Sequence, residues 1–202
     1  SAQVDHALND VNPFIGTGGH GHTFPGACVP NGLVQLSPDT RPDGMMDWDG
    51  CGGYHYSDSV IHGFSHTHLS GTGVADLCDV LLMPMDHNPD PKEFEGGGKP
   101  WLSTISHTNE HANAGFYSVH LDGPDVDAEL TATKRVGVHR YQWPKDKEQV
   151  LVLDLKHRDK LFAGSILQVN GNEITGERRS ASWAKDQHLY FCIRTNKPMF
   201  PS

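Results

Sequence analysis

Residues 128–143 read AELTATKRVGVHRYQW, and this stretch decides the fold class. Leu130, Ala132 and Lys134 stand in one phase and are followed by Val136 and Val138. A period of two marks a strand, because alternate side chains leave opposite faces of a pleated backbone. Gly137 interrupts the run at a point where a glycine permits a bulge or a bend. The stretch is therefore expected to form one long strand, bent near its middle.

The same period recurs on both sides of it. In GFYSVHLDG (115–123), Phe116, Ser118 and His120 share one face, and Tyr117, Val119 and Leu121 share the other. VLLMPM (80–85) is a short buried run. QVLVLDLKH (149–157) is continuously apolar, which predicts a strand covered on both faces. SILQVNGNEITGE (165–177) places the turn signal NGN between two short runs, the pattern of a hairpin. HLYFCIRTN (188–196) alternates Leu189, Phe191 and Ile193 against Tyr190, Cys192 and Arg194. Helical periodicity is scarce: HRDKLFAGS (157–165) suits a turn or two of helix, and EHANAG (110–115) a turn. Strands at this spacing predict an all-β chain, a large antiparallel β-sandwich. With no repeat, low-complexity segment or linker, residues 1–202 are read as one domain.

The first eighty residues differ. The chain holds 22 glycines and 13 prolines, and they crowd this region so densely that only LVQLS (33–37) suits a strand. Long loops in a compact domain usually form a functional surface or meet a neighbour. A formal net charge of −9 gives no general attraction to nucleic acid or anionic membranes. No apolar run is long enough to span a bilayer, and the polar start SAQVDHALND contains no signal peptide. Cys28, Cys51, Cys78 and Cys192 lack CxxC spacing, which favours buried thiols over a disulfide or a zinc site and leaves their pairing open.

Three constellations bear on chemistry. In GFSHTHLSGTG (63–73), His66 and His68 share a face of an extended backbone, as do His20 and His22 in GGHGH (18–22). Such pairs suit zinc, copper or iron, but a site needs further ligands from elsewhere. The plainer reading, hydrogen bonding to the loop backbone and to each other, carries more weight. In DGMMDWDGCGGYHYSDS (43–59), Trp48 lies between Asp47 and Asp49. An aromatic ring beside carboxylates suits a polyol, whose C–H face stacks while its hydroxyls bond to the acids; a tryptophan that staples its own loop is the alternative. Glycoside hydrolysis needs two carboxyl groups across the scissile bond. Asp39, Asp47, Asp49, Asp58, Asp76 and Asp79 are all available, and sequence alone does not pair them. GTGG and GTG lack the strand and helix context of a phosphate cradle, and no GxSxG elbow occurs.

The order of these motifs resembles the N-terminal region of glycoside hydrolase family 92, the calcium-dependent exo-acting α-mannosidases. It is carried by NPFIGTGG (12–19), TFPGA (23–27), QLSPDT (35–40), GYHYSDS (53–59), GFSHTHLSGTG (63–73) and LLMP (81–84). Further on, AELTATKRVGVHRYQWP (128–144), LDLKHRDKL (153–161), ITGERRSASWAKDQHLYF (174–191) and KPMF (197–200) extend it, so that it covers the chain from about Val11 to Phe200. Two departures are PNG at Pro30–Gly32, where PFG is usual, and the surroundings of DWDGCGGYHY.

The resemblance implies a sandwich of the galactose-mutarotase-like, supersandwich type with long Gly-rich loops. It implies that residues 1–202 are the N-terminal domain of a larger enzyme whose catalytic (α/α) barrel lies beyond Ser202. It implies inversion at terminal α-mannosides of N-glycans or mannans, by a glutamic acid and an aspartate that activates water. Those groups and the calcium ligands belong to the barrel, so this chain is expected to hold no catalytic residue and no metal ligand and to be inactive alone. By motif position, Gly26 and Trp48 are the expected sugar contacts, with His66 and His68 as further candidates. The expected partners are a mannose-containing glycan and the barrel; the expected location is secreted, periplasmic or at the cell surface of a bacterium. A free-standing carbohydrate-binding module and a His-rich metalloprotein remain as alternatives.

Overall fold

The computed structural model describes Leu8, residues 10–41 and residues 47–200. Residues 43–46 of the tryptophan-bearing stretch therefore lie outside the described residues. Fourteen strands occur among the described residues. The first half holds β1 (Ala27–Cys28), β2 (Gln35–Asp39), β3 (Val60–Ile61), β4 (Gly63–Ser65), β5 (Leu81–Met85) and β6 (Ser103–Thr104). The second half holds β7 (Glu110–Asn113), β8 (Phe116–Leu121), β9 (Val126–Ala132), β10 (Gly137–Gln142), β11 (Val150–Asp154), β12 (Lys160–Asn170), β13 (Glu173–Ala181) and β14 (Gln187–Arg194).

Two sheets form the sandwich. One has the order β1-β2-β4-β5-β11 and the other the meander β10-β9-β8-β7. The faces meet through Val34, Leu36, Phe64, Leu81 and Met83 on one side and Tyr117, Val119, Leu121, Val126, Ala128 and Leu130 on the other. β8 shows how the sequence does this: Tyr117, Val119 and Leu121 are buried while the alternate residues are partly exposed. No helix among the described residues is long and apolar enough to cross a membrane.

The opening stretch is not one bent strand. It forms β9 and β10 of a hairpin in register Ala132↔Gly137 to Asp127↔Gln142. Thr133 N donates to Val136 O, and Val136 N donates to Thr133 Oγ1. This turn reverses the chain and shifts the buried phase. His139 and Tyr141 now face inward, and Val138 faces solvent. The period of two was right on each side of Gly137, but a period does not reveal a reversal.

Other expectations divide. The NGN hairpin forms as β12 and β13 around Gly171 and Asn172, with Asn170↔Glu173 as its last pair. β14 alternates as read. HRDKLFAGS is not helical; it leads into β12. EHANAG is mostly β7. β11 is half-exposed along its whole length, because it is the edge of its sheet. Cys51 and Cys78 are buried and Cys28 and Cys192 exposed; all four are free thiols.

β12, β13 and β14 form a separate antiparallel sheet. It is tied to the sandwich by charge. Buried Arg178 on β13 pairs with Asp79 and donates to Ser180 Oγ (2.6 Å), Leu155 O (2.9 Å) and His157 O (3.1 Å). Asp76 accepts from Gln187 Nε2 (2.5 Å) and Ala184 N (2.9 Å). Packing adds less here, since Phe162, Ile166, Leu167, Val169 and Tyr190 are exposed.

Candidate functional site

Gly-rich loops of the first eighty residues meet around Trp48. Asp47 caps a short 3-10 turn, Trp48–Gly50, by accepting from Asp49 N (3.2 Å) and Gly50 N (3.3 Å). Arg41 fixes that cap: Nη1 donates to Asp47 Oδ2 (2.6 Å), while Nε and Nη2 form a fork on Asp58 (2.5 and 2.9 Å). A two-pronged guanidinium–carboxylate contact sets position as well as energy. The indole rests on Gly73, where a Cβ would come within 2.2 Å of it, so that glycine is required for the seat. The edge of His22 meets the ring at 4.9 Å and 84°. Trp48 is nevertheless 58% exposed. A ring held by its surroundings yet open to solvent is a platform; a loop-stapling tryptophan would be covered.

His20 and Asp49 stand beside it, with His20 Nδ1 2.5 Å from Asp49 Oδ1. His22 is only 6% exposed and has a left-handed backbone (φ 55°), and its Nε2 is buried without a hydrogen-bond partner among the described residues. An orphaned buried nitrogen costs about 1–3 kcal/mol. The backbone of His22 is anchored, since its carbonyl accepts from Gly71 N (2.8 Å).

Beneath these loops lies a fully buried polar network centred on Asp39. His68 Nδ1 is 2.8 Å from Gln35 O, and its Nε2 is 2.8 Å from Asp39 Oδ1. Both partners only accept, so both ring nitrogens carry protons and His68 is an imidazolium. Burial pushes its pKa down, but Cys78 and Asp39 outweigh burial and bring it up to about 10. Burial would raise Asp39; His68 and His157, whose Nε2 lies 3.0 Å from Oδ2, hold it well below the usual carboxylate range instead. Arg158 donates to Cys78 Sγ (3.2 Å), Gly50 O (2.6 Å) and Cys51 O (2.9 Å), which links this network to the Trp48 turn.

His66, two residues from His68, has the opposite charge state. Its Nδ1 donates to Val80 O (2.7 Å), so its Nε2 accepts from His139 Nε2 (3.0 Å), and His139 Nδ1 accepts from Tyr141 OH (2.8 Å). This relay needs both imidazoles neutral, and burial lowers the pKa of each.

The sequence-derived candidates are thus distributed as follows. Trp48 stands at the platform. His66 and His68 lie under the loops with every ring nitrogen engaged. Gly26 immediately precedes β1, and a Cβ there would lie 2.1 Å from Leu36 O and 2.4 Å from Ser37 Cα, so close apposition to β2 already demands a glycine. Its loop reaches His68 through Phe24, whose ring centroid is 5.1 Å away. Sequence reasoning missed the convergence of His20, His22 and Asp49, and the joining of Asp39, His157 and Arg158. The HxH spacing of His20 and His22 was a visible signal; the contact with Asp49, 29 residues on, was not.

Calcium takes 6–8 oxygen ligands. The metal-competent groups among the described residues are His20/His22/Asp49 and Asp39/His68/Cys78. Both rely on nitrogen or sulfur, and neither suits calcium.

The chain as a whole is similar to known proteins. Residues 10–201 match the family model described as the glycosyl hydrolase family 92 N-terminal domain. A family GH92 α-mannosidase of Bacteroides thetaiotaomicron, solved in complex with mannoimidazole, is 34% identical, with a TM-score of 0.82 over 95% of this chain and 25% of that one. A GH92 inverting mannosidase of the same species is 26% identical, with a TM-score of 0.71 over 92% of this chain and 24% of that one. An uncharacterized secreted glycosidase of Arthroderma benhamiae is 26% identical over 96% of this chain and 23% of its own length. The chain thus spans about a quarter of the length of these relatives.

Proposed function

Because the chain belongs to the N-terminal-domain family of glycosyl hydrolase family 92, we propose that it forms one wall of the terminal-mannose subsite of an inverting exo-α-mannosidase. The observation that carries this reading is the exposed ring of Trp48, held rigid by the Asp47 cap, Gly73 and His22. A fixed indole offers the C–H face of a sugar an apolar surface at little entropic cost. In this reading the backbone at Gly26 completes the wall, and His66 and His68 act by holding the loops that present it.

The chemistry is assigned outside this chain. An inverting glycosidase needs an acid and a base about 6.5–9.5 Å apart with room for water between them. The buried carboxylates here have structural partners: Asp39 with two imidazoles, Asp79 with Arg178, Glu110 with Tyr54 and Tyr117, Asp76 with Gln187 and Ala184 N, and Asp159 with Leu77 N. A (α/α) barrel in the same protein supplies the acid, the base and calcium. The substrates are α-mannosides of N-glycans or mannans, and the protein acts outside the cytoplasm of a bacterium as a secreted, periplasmic or surface enzyme.

Substitution Trp48→Ala in the full-length protein tests the reading. The ring is largely exposed, so the expected change in folding stability is about 0.5 kcal/mol or less. The expected loss in kcat/KM toward an α-mannoside is about tenfold or more, the ~1.4 kcal/mol of a lost stacking contact. Unchanged kcat/KM would remove Trp48 from the subsite. Tight mannose binding by the 202-residue chain alone would favour a stand-alone binding module instead.

A further inference from the structure

We propose that His20, His22 and Asp49 form a binding site for a divalent transition-metal ion at the edge of the Trp48 platform. Two imidazoles and a carboxylate each offer one ligand atom, and these atoms already lie within 4.8 Å of one another. Around a four-coordinate zinc ion with ligand bonds of about 2.0–2.2 Å, ligand atoms stand roughly 3.3 Å apart. Closure by at most about 1.5 Å therefore completes the set.

The three residues differ in how they would supply that movement. His22 is the fixed member, with its backbone carbonyl tied to Gly71 and its ring against Trp48. Its buried Nε2 has no hydrogen-bond partner among the described residues. Asp49 is set by the capped turn. His20 is the member with room to move: its ring is exposed, and it follows Gly18 and Gly19, where a Cβ would meet nothing within 4 Å. The short His20–Asp49 contact shows that these two side chains already approach each other. Imidazole nitrogen with one carboxylate selects zinc, iron, cobalt or nickel over calcium and magnesium. Three protein ligands leave a position for water or a ligand hydroxyl, as in open zinc sites.

The other histidine clusters do not compete. His68 donates from both nitrogens, and His66 and His139 are each bonded at both nitrogens. The His188–Asp186 pair on β14 is exposed, at 3.1 Å, and its carboxylate is shared with Arg179, so it provides an internal control.

The test is titration of zinc against a chromophoric chelator in untagged full-length protein, with the visible absorption of bound cobalt(II) as a second readout. One equivalent is expected to bind, and cobalt is expected to give the spectrum of a low-coordinate nitrogen–oxygen site. His22→Ala, Asp49→Asn and His20→Ala are each expected to weaken binding by about a hundredfold or more, beyond the roughly 10–100-fold lost when only an outer partner is removed. His20→Ala is the variant that cannot fail by unfolding, since that ring is exposed. His188→Ala is expected to change nothing. No zinc binding, or zinc binding that survives His20→Ala and His22→Ala, would overturn the proposal. The measurement uses no sugar, so its failure leaves the mannosidase reading standing, and the reverse.

Discussion

Asp39→Asn removes the charge at the centre of the buried network while keeping the shape of the side chain. Asp39 and His68 are both fully buried, and His68 must be an imidazolium to donate to Gln35 O and Asp39 at once. Breaking one partner of a buried ion pair costs about 3–5 kcal/mol, because the other charge is left uncompensated. The rise of His68 from 6.5 to about 10 corresponds, at about 1.36 kcal/mol per unit, to about 5 kcal/mol. That figure is the net of the raising effects of Cys78 and Asp39 against the opposing effect of burial, so it sets only the scale of Asp39's share. Against a usual domain stability of about 5–15 kcal/mol the effect is large, on the order of 10 °C in Tm. Its pH dependence is directional. The raised His68 contributes fully below pH 6.5 and loses its contribution as pH climbs toward 10. The depressed Asp39 contributes above the ordinary carboxylate range and loses its contribution only in stronger acid. Urea unfolding of wild type and variant across pH is therefore expected to show the largest difference between about pH 4 and 6.5, shrinking on the alkaline side. A difference below about 1 kcal/mol, the scale of an ordinary neutral hydrogen bond, would refute the ion-pair assignment, as would one that does not vary with pH.

Two further substitutions probe separate joints. Arg178→Met strips Asp79 of its buried partner and cuts the main tie between the β12–β14 sheet and the sandwich; a loss of about 3–5 kcal/mol is expected in chemical unfolding, and a near-neutral result would mean the tie is apolar instead. Gly26→Ala places a methyl group against Leu36 O and Ser37 Cα, so thermal unfolding is expected to show a loss of about 1–3 kcal/mol or more even without substrate. Wild-type stability in that variant would mean that β1 and β2 separate easily.

How much the sequence revealed depended on the range of the interaction. β8, β14 and the NGN hairpin were legible because their signals are local: the alternation of Tyr117, Val119 and Leu121, and the turn at Gly171 and Asn172. The β9–β10 reversal was not, because Thr133–Val136 lacks the glycine–asparagine signature of a tight hairpin, and the only glycine, Gly137, lies just past the turn. β11 looked fully covered, but its edge position depends on which strands pair, and that is not written in its own residues. At the site, Trp48 stood out as an aromatic among carboxylates. The charge states of His66 and His68 did not, since they depend on Val80, His139, Gln35 and Asp39, up to 73 residues away. The family resemblance rested on many motifs in fixed order and reached further than any single spacing.

On the function proposed above, this chain shapes a sugar subsite while the hydrolytic chemistry resides elsewhere in the same protein. The most direct test compares mannose release from an α-mannoside by the purified 202-residue chain and by the full-length protein, each with calcium and with chelator. Calcium-dependent release is expected from the full-length protein and none from the chain alone; mannose release by the chain alone would refute the proposed division of roles.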